Sequence, residues 1–223
     1  MAKVYLSPSD QESNVYAYDN TNEAVQCGRI AEACRAALER SGVEVKVGHM
    51  ISMAQKCSES NAFGADLHVP IHTNAFNGKV MGTRMFCYSA GGKGMAACKA
   101  IFARLAPITP GESENIQVNA DYYEVRVPAA PTAYIECEFH DTVEGAKWIV
   151  ENTVLIGETI ARGICDYFGV TFKEPEQPKP AKPVTTDTLY RVQVGAFAVR
   201  ENAEKMLARL KAAGFDGFIR EGK

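Results

Sequence analysis

No two cysteines in this chain stand at CxxC spacing, and no apolar run approaches the roughly 20 residues that a membrane-spanning helix needs. The first absence argues against a cysteine zinc site and against a disulfide framework. The seven cysteines, an odd number scattered through helix and strand patterns, read as small buried apolar residues. The second absence leaves no membrane span. The N-terminus, MAKVYLSPSD, also lacks the apolar stretch and small-residue cleavage site of a secretory leader. Synthesis as a soluble cytoplasmic chain, without a signal peptide, is the expectation.

A surplus of positive charge is missing too. The net charge of −3 divides into ten Lys and Arg against seven Asp and Glu from Lys173 onward, and 14 against 20 before it. This carries no footprint of nucleic-acid binding. The mildly basic tail suits an anionic polymer.

What the chain does have is 223 residues with 46% hydrophobic content, enough for one full domain and something smaller. Residues 173–187, KEPEQPKPAKPVTTD, hold four prolines and almost no apolar side chains. Such a segment is stiff, extended and solvated, so it reads as a linker between a domain of residues 1–172 and a piece of residues 188–223.

The first domain alternates strand and helix patterns. Strands are expected at KVYLS, GVEVKVG, ADLHVPIHTN, TRMFCYS and TAYIECEF, with YYEVRV as a short edge strand. Helices are expected over residues 22–40, around 52–60, across GKGMAACKAIFARLA, and from Val143 to Phe168 as one long or broken helix. The pattern predicts an α/β fold, a twisted and largely parallel sheet with helices on both faces. In such sheets the site lies at the carboxyl ends of the strands.

Three strand ends carry unusual polar residues. After the first comes SPSDQESN; the third ends in His72-Thr73-Asn74; the strand TAYIECEFHD holds Glu136 between Ile135 and Cys137, with Glu138, His140 and Asp141 beyond. Glu23 opens the first long helix, where a carboxylate favours the helix dipole whatever else it does. His72 alone reads more readily as a satisfied core histidine than as a ligand. Glu136 is harder to dismiss, because a carboxylate in an apolar strand is costly unless paired or bound. Together, a histidine and several carboxylates at one sheet edge suit a zinc site with an open position and a neighbouring general base. His68 does not join His72 there. Four strand residues span about 13 Å, so His68 is expected buried and hydrogen-bonded a layer below. His140, past its strand end, can reach the cleft from the loop.

These residues resemble the zinc-dependent N-acetylmuramoyl-L-alanine amidases of the amidase 3 type, over roughly residues 3–169. The carriers are the opening strand with Pro8, TNEAVQ, ADLHVPIHTNA, GTRMFCYS and PTAYIECEFHD. The His-x-Asn-Ala motif matches His72 to Ala75, and Pro-x-x-x-Val-Glu matches Pro131 to Glu136 with isoleucine for valine. The resemblance implies Zn2+ held by Glu23 and His72, Glu136 as the catalytic carboxylate, and a substrate contact from Asn74. It departs at the first ligand. Where the family has Pro-Gly-His, this chain has Pro8-Ser9-Asp10. Asp10 falls in the ligand slot, and carboxylate oxygen is an acceptable donor at about 2.0–2.2 Å. The alternative is that Asp10 only turns the loop and the chain is an inactive wall-binding protein.

Residues 190–219, with Val-Gln-Val-Gly-Ala-Phe and a Glu-Asn-Ala helix pattern, resemble one β-α-β half of a SPOR (sporulation-related repeat) domain. That family binds peptidoglycan glycan strands, with Gln193 and Phe197 the expected exposed contacts. The resemblances together imply a peptidoglycan hydrolase that cleaves between N-acetylmuramic acid and L-alanine. It would reach the cell wall by phage-type or autolytic release.

Overall fold

The computed structural model describes residues 1–114, 116–175, 193–212 and 214–221. The chain divides into two units, Met1–Glu176 and Gln177–Lys223. Among the described residues, no helix is long and apolar enough to cross a membrane.

In the first unit the strands are β1 (Lys3–Pro8), β2 (Glu44–Val47), β3 (Leu67–Asn74), β4 (Arg84–Cys87), β5 (Gln117–Val118) and β6 (Tyr134–Phe139). They form one sheet in the order β2-β1-β3-β6-β4-β5, parallel throughout except where β4 meets β6. The helices are α1 (Glu23–Arg40), α2 (Met53–Phe63), α3 (Lys93–Leu105), α4 (Tyr123–Arg126), α5 (Val143–Glu151) and α6 (Thr153–Phe168).

The helix boundaries follow from local chemistry. Asn22 caps α1 by accepting the Val25 N–H at 3.0 Å. Ser52 and Gln55 close a capping box on α2, which ends on Gly64 at φ 67°, a conformation that favours glycine. The expected helix from Val143 to Phe168 is broken at Asn152 into α5 and α6. YYEVRV is not a strand. Its middle forms the short helix α4, and the edge strand is Gln117–Val118 instead. Glu124 and Val125, neighbours in sequence, both turn inward, as a helix allows and a strand does not.

Period-two alternation makes the two sheet faces chemically unlike. On one face Val4, Leu6, Leu67, Val69, Ile71, Met85, Ile135 and Cys137 pack under α1, α3 and α6, each fully buried. At about 1.5–3 kcal/mol per large side chain, this layer is the main source of stability. Helix α6 lies between α1 and α3 at unusually close range. A Cβ at Gly157 would meet the Ile30 carbonyl oxygen at 2.5 Å, and one at Gly163 would meet Ile101 Cα at 2.5 Å. The opposite face carries Tyr5, Ser7, His68, His72, Tyr134 and Glu136, and α2 and α4 lie over part of it. The sequence-level expectation of a mostly parallel sheet with helices on both faces holds.

The first unit runs slightly past residue 172. Phe172 sits against the Arg40 and Arg162 guanidinium groups, the Lys173 carbonyl accepts from Arg40 at 2.8 Å, and Glu174 pairs with Arg162 at 2.6 Å. The rest of the Pro-rich linker lies outside the described residues. The second unit is represented by α7, Arg200–Ala212, with i,i+4 pairs from Arg200 to Glu204 and Glu201 to Lys205. The expected first strand begins outside the described residues. Residues 193–199 and 214–221 form no ladder, because a strand requires a hydrogen-bonded neighbour and neither flank has one among the described residues.

Candidate active site

The carboxyl ends of β1, β3 and β6 deliver the polar residues to one edge. Between β1 and α1 the chain makes a small hairpin. Val15 bridges Asn22, the Tyr16 N–H donates to the Thr21 carbonyl at 2.9 Å, and Asp19 and Asn20 turn with positive φ. This turn points the start of α1 at the sheet. Glu23 therefore meets the end of β3.

Glu23 Oε1 lies 2.9 Å from His72 Nδ1, with the carboxylate 1% exposed. Asn14 Nδ2 donates to Glu23 Oε2 at 2.6 Å, and the Thr73 N–H reaches Oε1 at 3.4 Å. Burial opposes the Glu23 charge, but the His72 ring, Asn14 and Ser9 hold its carboxyl below the usual carboxylate range. Burial also opposes charge on His72, yet Glu23 and Glu136 together raise its imidazole above the ordinary value.

Glu136 is the register partner of His72 across β3 and β6. Its Oε2 is buried with no hydrogen-bond partner among the described residues. Burial pushes its carboxyl up to about 7, against the pull of His72 and with a further push from Glu23. A buried carboxylate with a free oxygen beside an imidazole has the properties of a general base. Tyr134 stacks on the His72 ring, centroids 4.7 Å apart, and Tyr122 packs on Tyr134 in turn.

Asp10 does not join this pair. Among the described residues, the ligand atoms of Asp10, Glu23 and His72 do not gather within 4.8 Å. Asp10 is drawn the other way: Lys56 Nζ stands 2.7 Å from Oδ2, and the Met50 N–H donates to Oδ1 at 2.6 Å. The nearly buried ammonium on α2 needs a counter-ion, and Asp10 supplies it. The next residue approaches instead. Gln11 Nε2 lies 3.4 Å from His72 Nδ1, while its Oε1 accepts from Asn14 Nδ2 at 3.0 Å. Nothing in the sequence ranks Gln11 above Asp10, because both occupy the same polar loop.

His140 is buried rather than lining the cleft. Its Nδ1 lies 2.9 Å from Thr73 Oγ1, which also meets the Tyr16 hydroxyl, and its ring stacks on Tyr16. It braces Thr73 from behind, and at 4% exposure it offers substrate little surface. Asn74 lies partly exposed at the strand end, where its side chain accepts the Ala75 N–H. His68 is buried below the site as expected, stacked on Tyr5 and 3.3 Å from Glu124. In the second unit Gln193 and Phe197 are exposed. Tyr134 escaped sequence reasoning, though its spacing of two from Glu136 places both on one face.

Is the edge fit for a metal? A carboxylate oxygen and a ring nitrogen face each other at the separation of two ligands, an amide side chain is the nearest third donor, and a base-like carboxylate with an orphaned oxygen stands beside them. That donor set fits a divalent ion with an open position.

Acid, imidazole and a second carboxylate meeting at the carboxyl edge of such a sheet define a hydrolytic α/β domain. Comparison with known proteins narrows this. The family model of N-acetylmuramoyl-L-alanine amidase matches residues 9–166 and that of the SPOR domain matches residues 173–221. The chain belongs to the N-acetylmuramoyl-L-alanine amidase family, the peptidoglycan amidases. The sporulation-specific N-acetylmuramoyl-L-alanine amidase of Bacillus subtilis (strain 168) is 25% identical over 226 residues, covering 98% of this chain and 84% of the relative. The N-acetylmuramoyl-L-alanine amidase CwlM of Bacillus licheniformis is 24% identical, covering 98% and 85%. Among solved structures, the catalytic domain of CwlV from Bacillus (Paenibacillus) polymyxa var. colistinus shares the fold with a TM-score of 0.69 at 16% identity, covering 77% of this chain and 100% of that one. AmiC2 of Nostoc punctiforme shares it at 0.66 and 18%, covering 75% and 97%.

Proposed function

We propose that this chain hydrolyses the amide between the lactyl group of N-acetylmuramic acid and L-alanine, with zinc held by Glu23 and His72 and with Glu136 as the base. The observation that carries the proposal is the 2.9 Å contact of Glu23 with His72 beside the orphaned Oε2 of Glu136. Zinc bound there supplies a Lewis acid for the amide carbonyl and an acidified water.

The protein's own groups do the rest. Glu136 Oε2 accepts the proton of the attacking water and returns it to the departing alanine nitrogen. The attack forms the new C–O bond, and loss of the amine breaks C–N. Asn14 and the Thr73 N–H hold the Glu23 carboxylate in place, Tyr134 fixes the His72 ring plane, and Gln11 completes the polar wall. Asn74 faces the substrate from the strand end. The C-terminal unit holds the enzyme on glycan strands at the cell wall, with Gln193 and Phe197 as contacts.

The test is digestion of purified sacculi by the zinc-loaded chain, read by mass spectrometry. Release of intact stem peptides with free N-terminal alanine is expected, lost in Glu136→Gln. Zinc falls by one equivalent in Glu23→Gln and in His72→Ala. Sacculi that bind the chain but release nothing would show a wall-binding module instead. Fragments cut within the stem peptide would show a peptidase.

A further inference from the structure

Cys57, His68 and Glu124 come together on the polar face of the sheet from three separate elements, α2, β3 and α4. One donor atom from each lies within 4.8 Å of the others, and the residues are 1%, 0% and 2% exposed. Among the described residues, no other group of three His, Cys, Asp or Glu side chains gathers as closely. The cluster lies four residues down β3 from His72, about 13 Å along the strand, so it is separate from the edge described above.

A buried histidine–glutamate pair accounts for only part of this. Glu124 Oε1 accepts from Ser7 Oγ and lies 3.3 Å from His68 Nε2, and the other ring nitrogen, Nδ1, is buried with no hydrogen-bond partner among the described residues. The spacing of His68 Nε2 and Glu124 Oε1 matches two neighbours on one tetrahedral ion, whose bonds are about 2.0 Å each. The pair alone does not involve the Cys57 thiol, whose Sγ completes three donors within 4.8 Å of one another.

We infer that Cys57, His68 and Glu124 form a second metal site, structural rather than catalytic, that takes one zinc-type divalent cation. The donor chemistry selects the ion. A thiolate with an imidazole and a carboxylate suits zinc or cobalt, whereas magnesium and calcium take oxygen. On binding, the Cys57 thiol loses its proton to solvent and a metal–sulfur bond forms, while His68 binds as neutral imidazole and Glu124 as carboxylate. Two anionic ligands cancel the dication, so the filled site is electrically neutral where burial penalises charge.

The site ties a four-residue helix to the sheet. Helix α4 follows directly on Tyr122, whose ring packs on Tyr134, which stacks on His72. Holding Glu124 therefore sets the aromatic shelf beside the catalytic imidazole. No local motif announces the site, because its ligands lie 11 and 56 residues apart in the chain.

Cobalt tests it, because a thiolate ligand to cobalt gives a near-ultraviolet charge-transfer band that the cysteine-free Glu23–His72 site cannot produce. The full chain, stripped of metal and titrated with Co2+ alone, is expected to show this band, and Glu23→Gln retains it. Cys57→Ser abolishes the band and, prepared with zinc, carries one equivalent less than the parent. Circular dichroism checks the fold of each variant. If Cys57→Ser does not fold, Glu124→Gln is read instead: it keeps the thiol and is expected to weaken cobalt binding at this band by at least about tenfold. A folded parent chain with no thiolate band overturns the inference. So does a band that survives Cys57→Ser, or one that Glu124→Gln leaves at full affinity. Failure of amidase activity leaves these readouts untouched, so the two proposals fail separately.

Discussion

Lys56 Nζ stands 2.7 Å from Asp10 Oδ2, and this one ion pair turns Asp10 away from the edge where Glu23 meets His72. The ammonium is nearly buried and also donates to the Pro8 carbonyl at 2.6 Å. Its hydrogen bond is aligned on that carbonyl, and the carboxylate oxygen serves as a counter-ion rather than as an aligned acceptor.

Asp10→Ala is therefore expected to lower stability by about 2–4 kcal/mol, since it strands a buried ammonium. Removing both charges, as Asp10→Ala with Lys56→Met, recovers most of that loss. Zinc content stays at the parent value in both. Thermal denaturation and elemental analysis check the two halves; loss of zinc in Asp10→Ala would return Asp10 to the ligand set.

Tyr134 orients His72 by stacking, without touching the reacting atoms. Tyr134→Leu is expected to cut kcat about tenfold or more, with KM changed little, and Tyr134→Phe restores most of it because the ring remains. A role limited to packing would show as a drop in melting temperature with kcat intact. Steady-state kinetics on a soluble muropeptide separates these outcomes.

Glu138 gives a dependence of stability on pH. Burial raises its carboxyl from 4.5 to about 7, although the Phe139 and Gly82 N–H groups and the Arg84 charge pull the other way. Below pH 4.5 it is protonated in folded and unfolded chains alike. Above that the unfolded chain ionises first, so this group's contribution to stability is lost as pH rises through about 7. Glu138→Gln, whose amide oxygen still accepts backbone N–H groups, is expected to flatten the fall between pH 5 and 8 by on the order of 2–3 kcal/mol. Urea unfolding of parent and variant at both pH values checks it.

Gly157 lets α6 approach α1. A methyl group there meets the Ile30 carbonyl oxygen at 2.5 Å and Cys34 N at 2.8 Å, both backbone atoms that cannot turn aside. Gly157→Ala is expected to cost about 2–3 kcal/mol despite its better helix propensity. An unchanged melting temperature would mean that α6 shifts freely.

Much of this protein is determined by the sequence alone. The strand and helix order follows from apolar periodicity, caps and glycine stops, local signals that the fold overrides in the first unit at YYEVRV, a short helix rather than the edge strand. Glu23, His72 and Glu136 are legible because a polar residue at the end of an apolar strand, or opening a helix beside it, is costly unless used. What tertiary structure decided is which of those side chains meet. Asp10 and Gln11 share one loop, and only the packing of α2, which brings Lys56 under that loop, sends Asp10 away and leaves Gln11 beside His72. His140 sits behind Thr73 because β3 and β6 lie side by side, a placement that no spacing along the chain encodes. The same holds for Cys57, His68 and Glu124. Helical and strand periods report which face a residue takes, but the meeting of three elements depends on long-range packing, which has no local signature.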